Sequence, residues 1–277
     1  MNYLLNRIAF TIGNTDIYWY GIIIGFAIAL AFGLSFTLLK VKGLPKDTPI
    51  DVFLAIVPLG IVGARLFSVL FEDDTTILDF FKFREGGMSI IGAVIGGAIG
   101  LIILCVVKKY NFLKIADLIV PVLILAQAIG RWGNFANQEV YGWVVTNPNF
   151  QWFPFAVNIG GTWHMALFFY EFVLNLLGFV LLMFLYFKTK KTGICVGTYL
   201  VYYGTVRVIL ESFRENEYVL KLAGLPISQI LSALFICVGI GILIFINIKK
   251  VNTKEKGESA NERKWKDIYP KGSGWTS

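Results

Sequence analysis

The 277 residues are 56% hydrophobic and only 16% charged, where soluble globular chains carry about 25% charged side chains, so polar surface is too scarce for a water-soluble fold of this size. The same composition excludes disorder and collagen, and 3 cysteines (Cys105, Cys195, Cys237), an odd number without paired spacing, exclude a disulfide scaffold and a thiolate metal or redox site. A net charge of +7 with a pI near 9.2 leaves nucleic acid or anionic lipid as partners until the charges are placed along the chain.

A helix crosses the hydrocarbon core with about 20 apolar residues. Seven stretches come close to that length: 18–39, 49–71, 87–107, 113–133, 165–187, 194–212 and 227–248. The first follows a polar Asn14-Thr15-Asp16 leader with no basic region or small-residue cleavage site, so it reads as a retained span. In the third, Gly92, Gly96 and Gly100 form a small-xxx-small face, for packing within the chain or for a dimer. Lys and Arg alternate between the loops. The loops after spans one, three and five and the C-terminal tail hold 17 of the 25, against five for the leader and the other loops, among them Lys82, Arg84, Arg214 and Lys221. Cytoplasmic loops carry that excess. The expectation is therefore an all-α integral membrane protein of seven transmembrane helices, N-terminus outside and C-terminus cytoplasmic. Topology accounts for the basic balance, and nothing in it asks for nucleic acid. Residues 1–250 form the membrane domain, and the polar tail 251–277 reads as disordered. No transporter-type internal repeat is evident.

Ionisable side chains at membrane depth cost about 2.5–3.5 kcal/mol each on insertion scales, so each one is a question about function. They are Arg65, Asp117, Arg131, Glu171, Arg207 and Glu211. Arg207 and Glu211, four apart, share a helix face and read either as an ion pair or as site residues. Asp117 and Arg65 read as interfacial or internally paired.

The densest polar run is Gly130-Arg131-Trp132-Gly133-Asn134-Phe135-Ala136-Asn137-Gln138-Glu139-Val140-Tyr141-Gly142, at the outer end of span four. A guanidinium fork matches phosphate bidentately, carboxamides bond esters and glycerol hydroxyls, and glycine lets the backbone approach a ligand. The set points to recognition of a lipid phosphate at the outer interface. A Lys/Arg-free segment rich in aromatics follows, to about Gly161, either an interfacial belt or a cover (134–163) over a lipid cavity. The single histidine, His164, is structural or catalytic.

The run Gly-Arg-x-Gly-Asn-Phe-x-Asn-x-Glu-x-x-Gly resembles the signature of prolipoprotein diacylglyceryl transferases, bacterial membrane enzymes that begin lipoprotein maturation. Further segments are similar in order: Tyr18-Trp19-Tyr20-Gly21, Gly63-Ala64-Arg65, Gly86-Gly87-Met88-Ser89, His164 with Tyr170-Glu171, Tyr203-Gly204-x-x-Arg207-x-x-x-Glu211-x-Phe213-Arg214, and Gln229-Ile230-Leu231-Ser232. The resemblance covers about 16–248. One departure stands out: after Gly-Gly-Met-Ser the family often has an aromatic and then a histidine or tyrosine, and here Ile90 and Ile91 stand instead.

The resemblance implies transfer of the diacylglyceryl group of phosphatidylglycerol to the lipobox cysteine of a prolipoprotein, forming a thioether and releasing glycerol phosphate. Arg131, Arg207, Glu139, Glu211 and His164 are then catalytic candidates. Arg131, Asn134, Asn137, Gly142, Tyr20 and Arg207 are candidates for binding phosphatidylglycerol. No cofactor or metal is implied, because the lipid carries its own leaving group. Partners are phosphatidylglycerol, the prolipoprotein signal peptide and membrane lipids, and the protein is expected as a monomer in the bacterial cytoplasmic membrane with its site toward the outer leaflet. Alternatives are an inactive paralogue that binds phospholipid or prolipoprotein, for which Ile90 and Ile91 speak, a transporter, or a purely structural membrane protein.

Overall fold

The computed structural model describes residues 7–13, 15–71, 80–81, 89–215, 221–222 and 225–268, and beyond residue 248 the backbone alone. Gly86-Gly87-Met88, Lys82, Arg84, the side chain of Lys221 and residues 269–277 lie outside the described residues. Among the described residues, seven helices are long and apolar enough to span a membrane: α1 (Trp19–Leu38), α2 (Thr48–Phe71), α3 (Ile90–Val107), α4 (Phe112–Asn137), α5 (Leu167–Lys188), α6 (Ile194–Glu211) and α7 (Ile227–Ile268). Each begins within three residues of its expected place. The membrane-length part of α7 is Ile227–Ile248, and its backbone stays helical to Ile268.

The helical reading gains a small β component. β1 (Ile8–Ile12) pairs antiparallel with β2 (Thr15–Tyr18), β3 (Ala156–Ile159) with β4 (Thr162–Met165), and β5 (Lys221–Leu222) with β6 (Leu225–Pro226). All three hairpins fall before α1, between α4 and α5, or between α6 and α7. Helices that alternate in direction place these at one end of the bundle, opposite the lysine-rich connections.

Two contacts show why particular helices meet. An added Cβ at Gly92 would lie 2.2 Å from the Gly63 carbonyl oxygen, one at Gly96 2.1 Å from that of Leu59, and one at Gly100 2.5 Å from that of Ala55. The glycine face of α3 therefore packs inside the chain, against α2, at backbone-to-backbone distance. At the lysine-rich end, Asp117 is fully buried and accepts from the backbone N–H groups of Gly193 (2.7 Å) and Val196 (3.0 Å), the unpaired donors that open α6. Lys42 Nζ stands 3.9 Å from the same carboxylate and donates to the Thr189 carbonyl at 3.1 Å. Tyr186 then donates to the Leu38 carbonyl at 3.0 Å. One aspartate thus fastens the ends of α1 and α5 and the starts of α4 and α6 together, so its place in an apolar span is structural.

Candidate functional site

The site begins with the end of α4. Helix geometry continues through Gly133 to Asn137, so Arg131 and Asn134 are one turn apart on the same face, and Arg131 Nη1 donates to Asn134 Oδ1 at 3.2 Å. The helix stops at Gln138, in the left-handed region (φ 55°), and Val140 is there too (φ 61°). For a β-branched residue this conformation is strained by about 1–3 kcal/mol, and such strain concentrates where a side chain must be aimed. The residue between the two is Glu139. Its Oε1 accepts from Asn134 Nδ2 at 3.0 Å and Asn137 Nδ2 at 3.4 Å, so Arg131, Asn134, Asn137 and Glu139 form one connected set.

A second set joins this one through α5. Glu171, 4% exposed, pairs with Arg131 Nε through Oε2 and with Arg207 Nη1 through Oε1 at 2.7 Å. Arg207 Nη2 reaches Glu211 Oε2 and Ser228 Oγ, both at 2.9 Å, and Arg214 Nη1 lies 3.3 Å from the same glutamate oxygen. Three guanidinium groups and the carboxylates of Glu171 and Glu211 are therefore held together by α4, α5, α6 and the residues just after α6, and with Glu139, joined to Arg131 through Asn134, the connected set has three positive and three negative charges. Isolated charges are intolerable at this depth, and the pairing is what allows five of them to be buried. Arg214, counted from the sequence among exposed loop charges, is instead buried against Glu211, and burial followed by the neighbouring Arg207 charge pulls its pKa below the ordinary arginine value.

Rings brace the frame. Trp132 packs edge-on to Phe168 and Phe172 at 5.5 and 5.6 Å, and Phe135 stacks on Phe168 at 4.6 Å, fixing α4 against α5. Tyr20 of α1 lies against Gly133, where a Cβ would come within 2.8 Å of the ring, and its hydroxyl is within electrostatic reach of Arg131 and Glu139.

Above the charges the chain builds a small sheet from residues that were expected only as belt or cover. The strand 142–145 inserts between β4 and the segment 213–215. Gly142 N–H donates to the Met165 carbonyl (3.1 Å), Trp143 N–H to that of Phe213 (3.1 Å) and Val145 N–H to that of Trp163 (2.7 Å), with a bridge between Gly142 and Arg214. A Cβ at Gly142 would come within 2.8–2.9 Å of Leu167, Met165 and the Phe213 oxygen. Its missing side chain lets three protein segments close on one another. Trp143, Phe150, Trp152, Phe153 and Phe155 remain 40–52% exposed.

His164, in β4, approaches the Gly142 carbonyl oxygen with Nδ1 at 3.1 Å. A carbonyl oxygen only accepts, so Nδ1 carries the hydrogen in this contact and the neutral ring keeps its lone pair on Nε2. Arg65 is buried at the same end of α2 and donates from Nε to the Phe80 carbonyl at 3.4 Å. The structure thus brings Arg131, Asn134, Asn137, Glu139, Arg207 and Glu211 into one network, with Tyr20 beside it and His164 in the layer above. The sequence reading assigned no role to Glu171, the residue that joins the two halves, or to Arg214. A carboxylate in the middle of an apolar span was the available signal for the first.

The family model described as prolipoprotein diacylglyceryl transferase matches residues 7–245. This chain belongs to the prolipoprotein diacylglyceryl transferase family. Among curated relatives, a phosphatidylglycerol–prolipoprotein diacylglyceryl transferase 1 of Clostridium perfringens is 36% identical over 261 residues, covering 91% of this chain and 98% of the relative. A phosphatidylglycerol–prolipoprotein diacylglyceryl transferase of Finegoldia magna is 34% identical, covering 91% and 100% of the two chains, and one of Listeria innocua is 33% identical, covering 88% and 91%. As a member of this family the chain is a multi-span membrane enzyme, and the charged network lies within the part that the family model matches.

Proposed function

We propose that the protein transfers the diacylglyceryl group of phosphatidylglycerol to the lipobox cysteine of prolipoproteins, the first step of their maturation. The observation that carries this reading is the pair of arginines from α4 and α6 drawn together on the two oxygens of Glu171. Their planar guanidinium forks match the oxygens of a phosphodiester. Arg131 and Arg207 hold the lipid phosphate, Asn134, Asn137 and Tyr20 position the headgroup, and Glu211 orients Arg207 and Arg214.

In the reaction the substrate thiol, with an ordinary pKa of about 8.5, gives up its proton as sulfur attacks the sn-3 carbon of the diacylglyceryl group. The bond from that carbon to the phosphate oxygen breaks, and glycerol phosphate leaves with the bonding electrons. Charge accumulating on the phosphate is met by preorganised guanidinium donors in a site of low dielectric. Ile91 cannot carry a proton, which leaves His164 Nε2 and the Glu139 carboxylate as acceptors on this chain, and Gly142 serves by closing the small sheet over the site. The reaction needs no cofactor or metal. The basic loops place the N-terminus outside and the C-terminus in the cytoplasm, with the site at the outer leaflet of the bacterial cytoplasmic membrane. The protein acts as a monomer on membrane lipid and signal peptide, with no nucleic acid, and its polar tail 251–277 stays on the cytoplasmic side.

The test is incubation of purified protein with phosphatidylglycerol and a lipobox peptide, read by mass spectrometry and by released glycerol phosphate. A diacylglyceryl mass increase is expected, lost when the lipobox Cys is Ser and reduced at least ~100-fold in Arg131→Ala or Arg207→Ala. Full activity in either arginine variant removes the phosphate clamp. No product from folded, lipid-bound wild type makes the isoleucines decisive and favours a binding paralogue.

A further inference from the structure

Among the buried polar groups outside the network just described is the side chain of Asn175. Asn175 is 1% exposed, and neither its amide nitrogen nor its carbonyl oxygen has a hydrogen-bond partner. It belongs to the buried stripe of α5 that includes Phe168, Glu171, Gly178 and Leu182. Glu171, one turn nearer the site end, meets Arg131 and Arg207, and an added Cβ on Gly178, one turn the other way, would meet Ile124 and Tyr202 at 2.6 and 2.5 Å. Asn175 is therefore held between α4 and α6, about 6 Å deeper along the helix than the carboxylate that binds both arginines.

An unpaired carboxamide in an apolar interior costs several kcal/mol, within a membrane no water offsets it, and a leucine would fill the place without that cost. The fold gives no reason for the residue, so the reason lies with what the site holds. We infer that Asn175 donates its amide hydrogens to an ester carbonyl of the bound diacyl lipid. The inference rests on the reading that the phosphate sits at Arg131 and Arg207. In a phospholipid entering from the site end, the ester-bearing glycerol carbons lie one step deeper than the phosphate, the depth at which Asn175 stands. Esters supply acceptors only, and this matches the Nδ2 group; a carbonyl oxygen left with spare lone pairs is the lesser cost. An apolar groove of about 330 Å³ runs along α6 past Val206, Tyr202 and Thr198, and Tyr202, which lines it, donates to the Leu174 carbonyl next to Asn175 at 2.6 Å. An acyl chain leaving an ester at Asn175 has that groove alongside it.

The experiment compares phosphatidylglycerol with its dialkyl ether analogue of equal chain length, which keeps the phosphate, the headgroup and the reacting carbon but lacks both carbonyls. Wild type is expected to use the ester about tenfold better in kcat/KM, the worth of one ordinary hydrogen bond. In Asn175→Leu the preference falls to about one, through loss on the ester alone, while thermal stability stays level or rises. An equal preference in wild type, a measurement that needs no variant, overturns the assignment. So does an Asn175→Leu enzyme that keeps the wild-type ratio or loses both activities equally. Wild type that turns over neither lipid overturns the transferase reading itself, and the ester contact with it.

Discussion

Replacing Glu171 with glutamine keeps the shape of the side chain and removes the charge shared by Arg131 and Arg207. Arg131 and Arg207 then lose their shared counter-charge, and the cluster gains one net positive charge with no added access to water. Leaving one member of a buried pair uncompensated costs about 3–5 kcal/mol, and glutamine retains an oxygen acceptor for one arginine, so the lower end, about 3 kcal/mol, applies. For a chain of this size that is a fall in melting temperature of roughly 6–12 °C, measurable in detergent by thermal scanning. Transfer falls further than stability, because the two arginines lose their common support. The double variant Glu171→Gln/Arg131→Gln removes the stranded cation as well, so it recovers part of the lost stability and none of the activity. A Glu171→Gln protein that melts within about 2 °C of wild type would refute the view that this carboxylate holds the clamp.

Gly142→Ala places a methyl against three segments at once and costs about 1–3 kcal/mol or more by overpacking, with activity lost through the displaced 213–215 strand; unchanged turnover would show that the small sheet is not coupled to the site. Gly96→Val pushes α2 and α3 apart and should sharply lower the yield of folded protein, whereas Ile99→Val on the same helix, half-exposed, should leave melting and yield as they are. Asp117→Ala strips two backbone donors of α6 of their acceptor and should destabilise by about 2–4 kcal/mol with little change in KM, which separates this anchor from the substrate site.

The seven spans could be read from hydropathy because each is a property of its own window. Even α6, with a mean hydropathy of 1.2 against 2.1–2.9 for the others, keeps enough apolar residues to register. What hydropathy lacks is the partner. Asp117 could be read as an interfacial or packing residue but not given its partners, because the donors to its carboxylate are the backbone N–H groups of Gly193 and Val196, far along the chain. Arg214 looked like a loop cation because Glu211 accounts for it only once the helix end is bent into place. The polar run 130–142 was visible as a site, yet its first eight residues are the end of α4 and the rest is irregular backbone that ends in a bridge at Gly142. Glycine spacing on α3 announced a close neighbour without saying which, and the answer was the helix just before it.

The pairing of Arg131 with Glu171, and of Glu171 with Arg207, also sets a schedule for making the protein. A ribosome adds about 5–20 residues per second, so α4 waits some seconds before the carboxylate that neutralises its arginine is synthesised, and that carboxylate waits about as long again for Arg207. During that interval each helix is a poor resident of the bilayer, and α6, the least apolar of the seven, is the poorest. Assembly of the three is thus the event that makes each of them acceptable to lipid. A chain interrupted between α4 and α5 leaves Arg131 without the carboxylate that neutralises it.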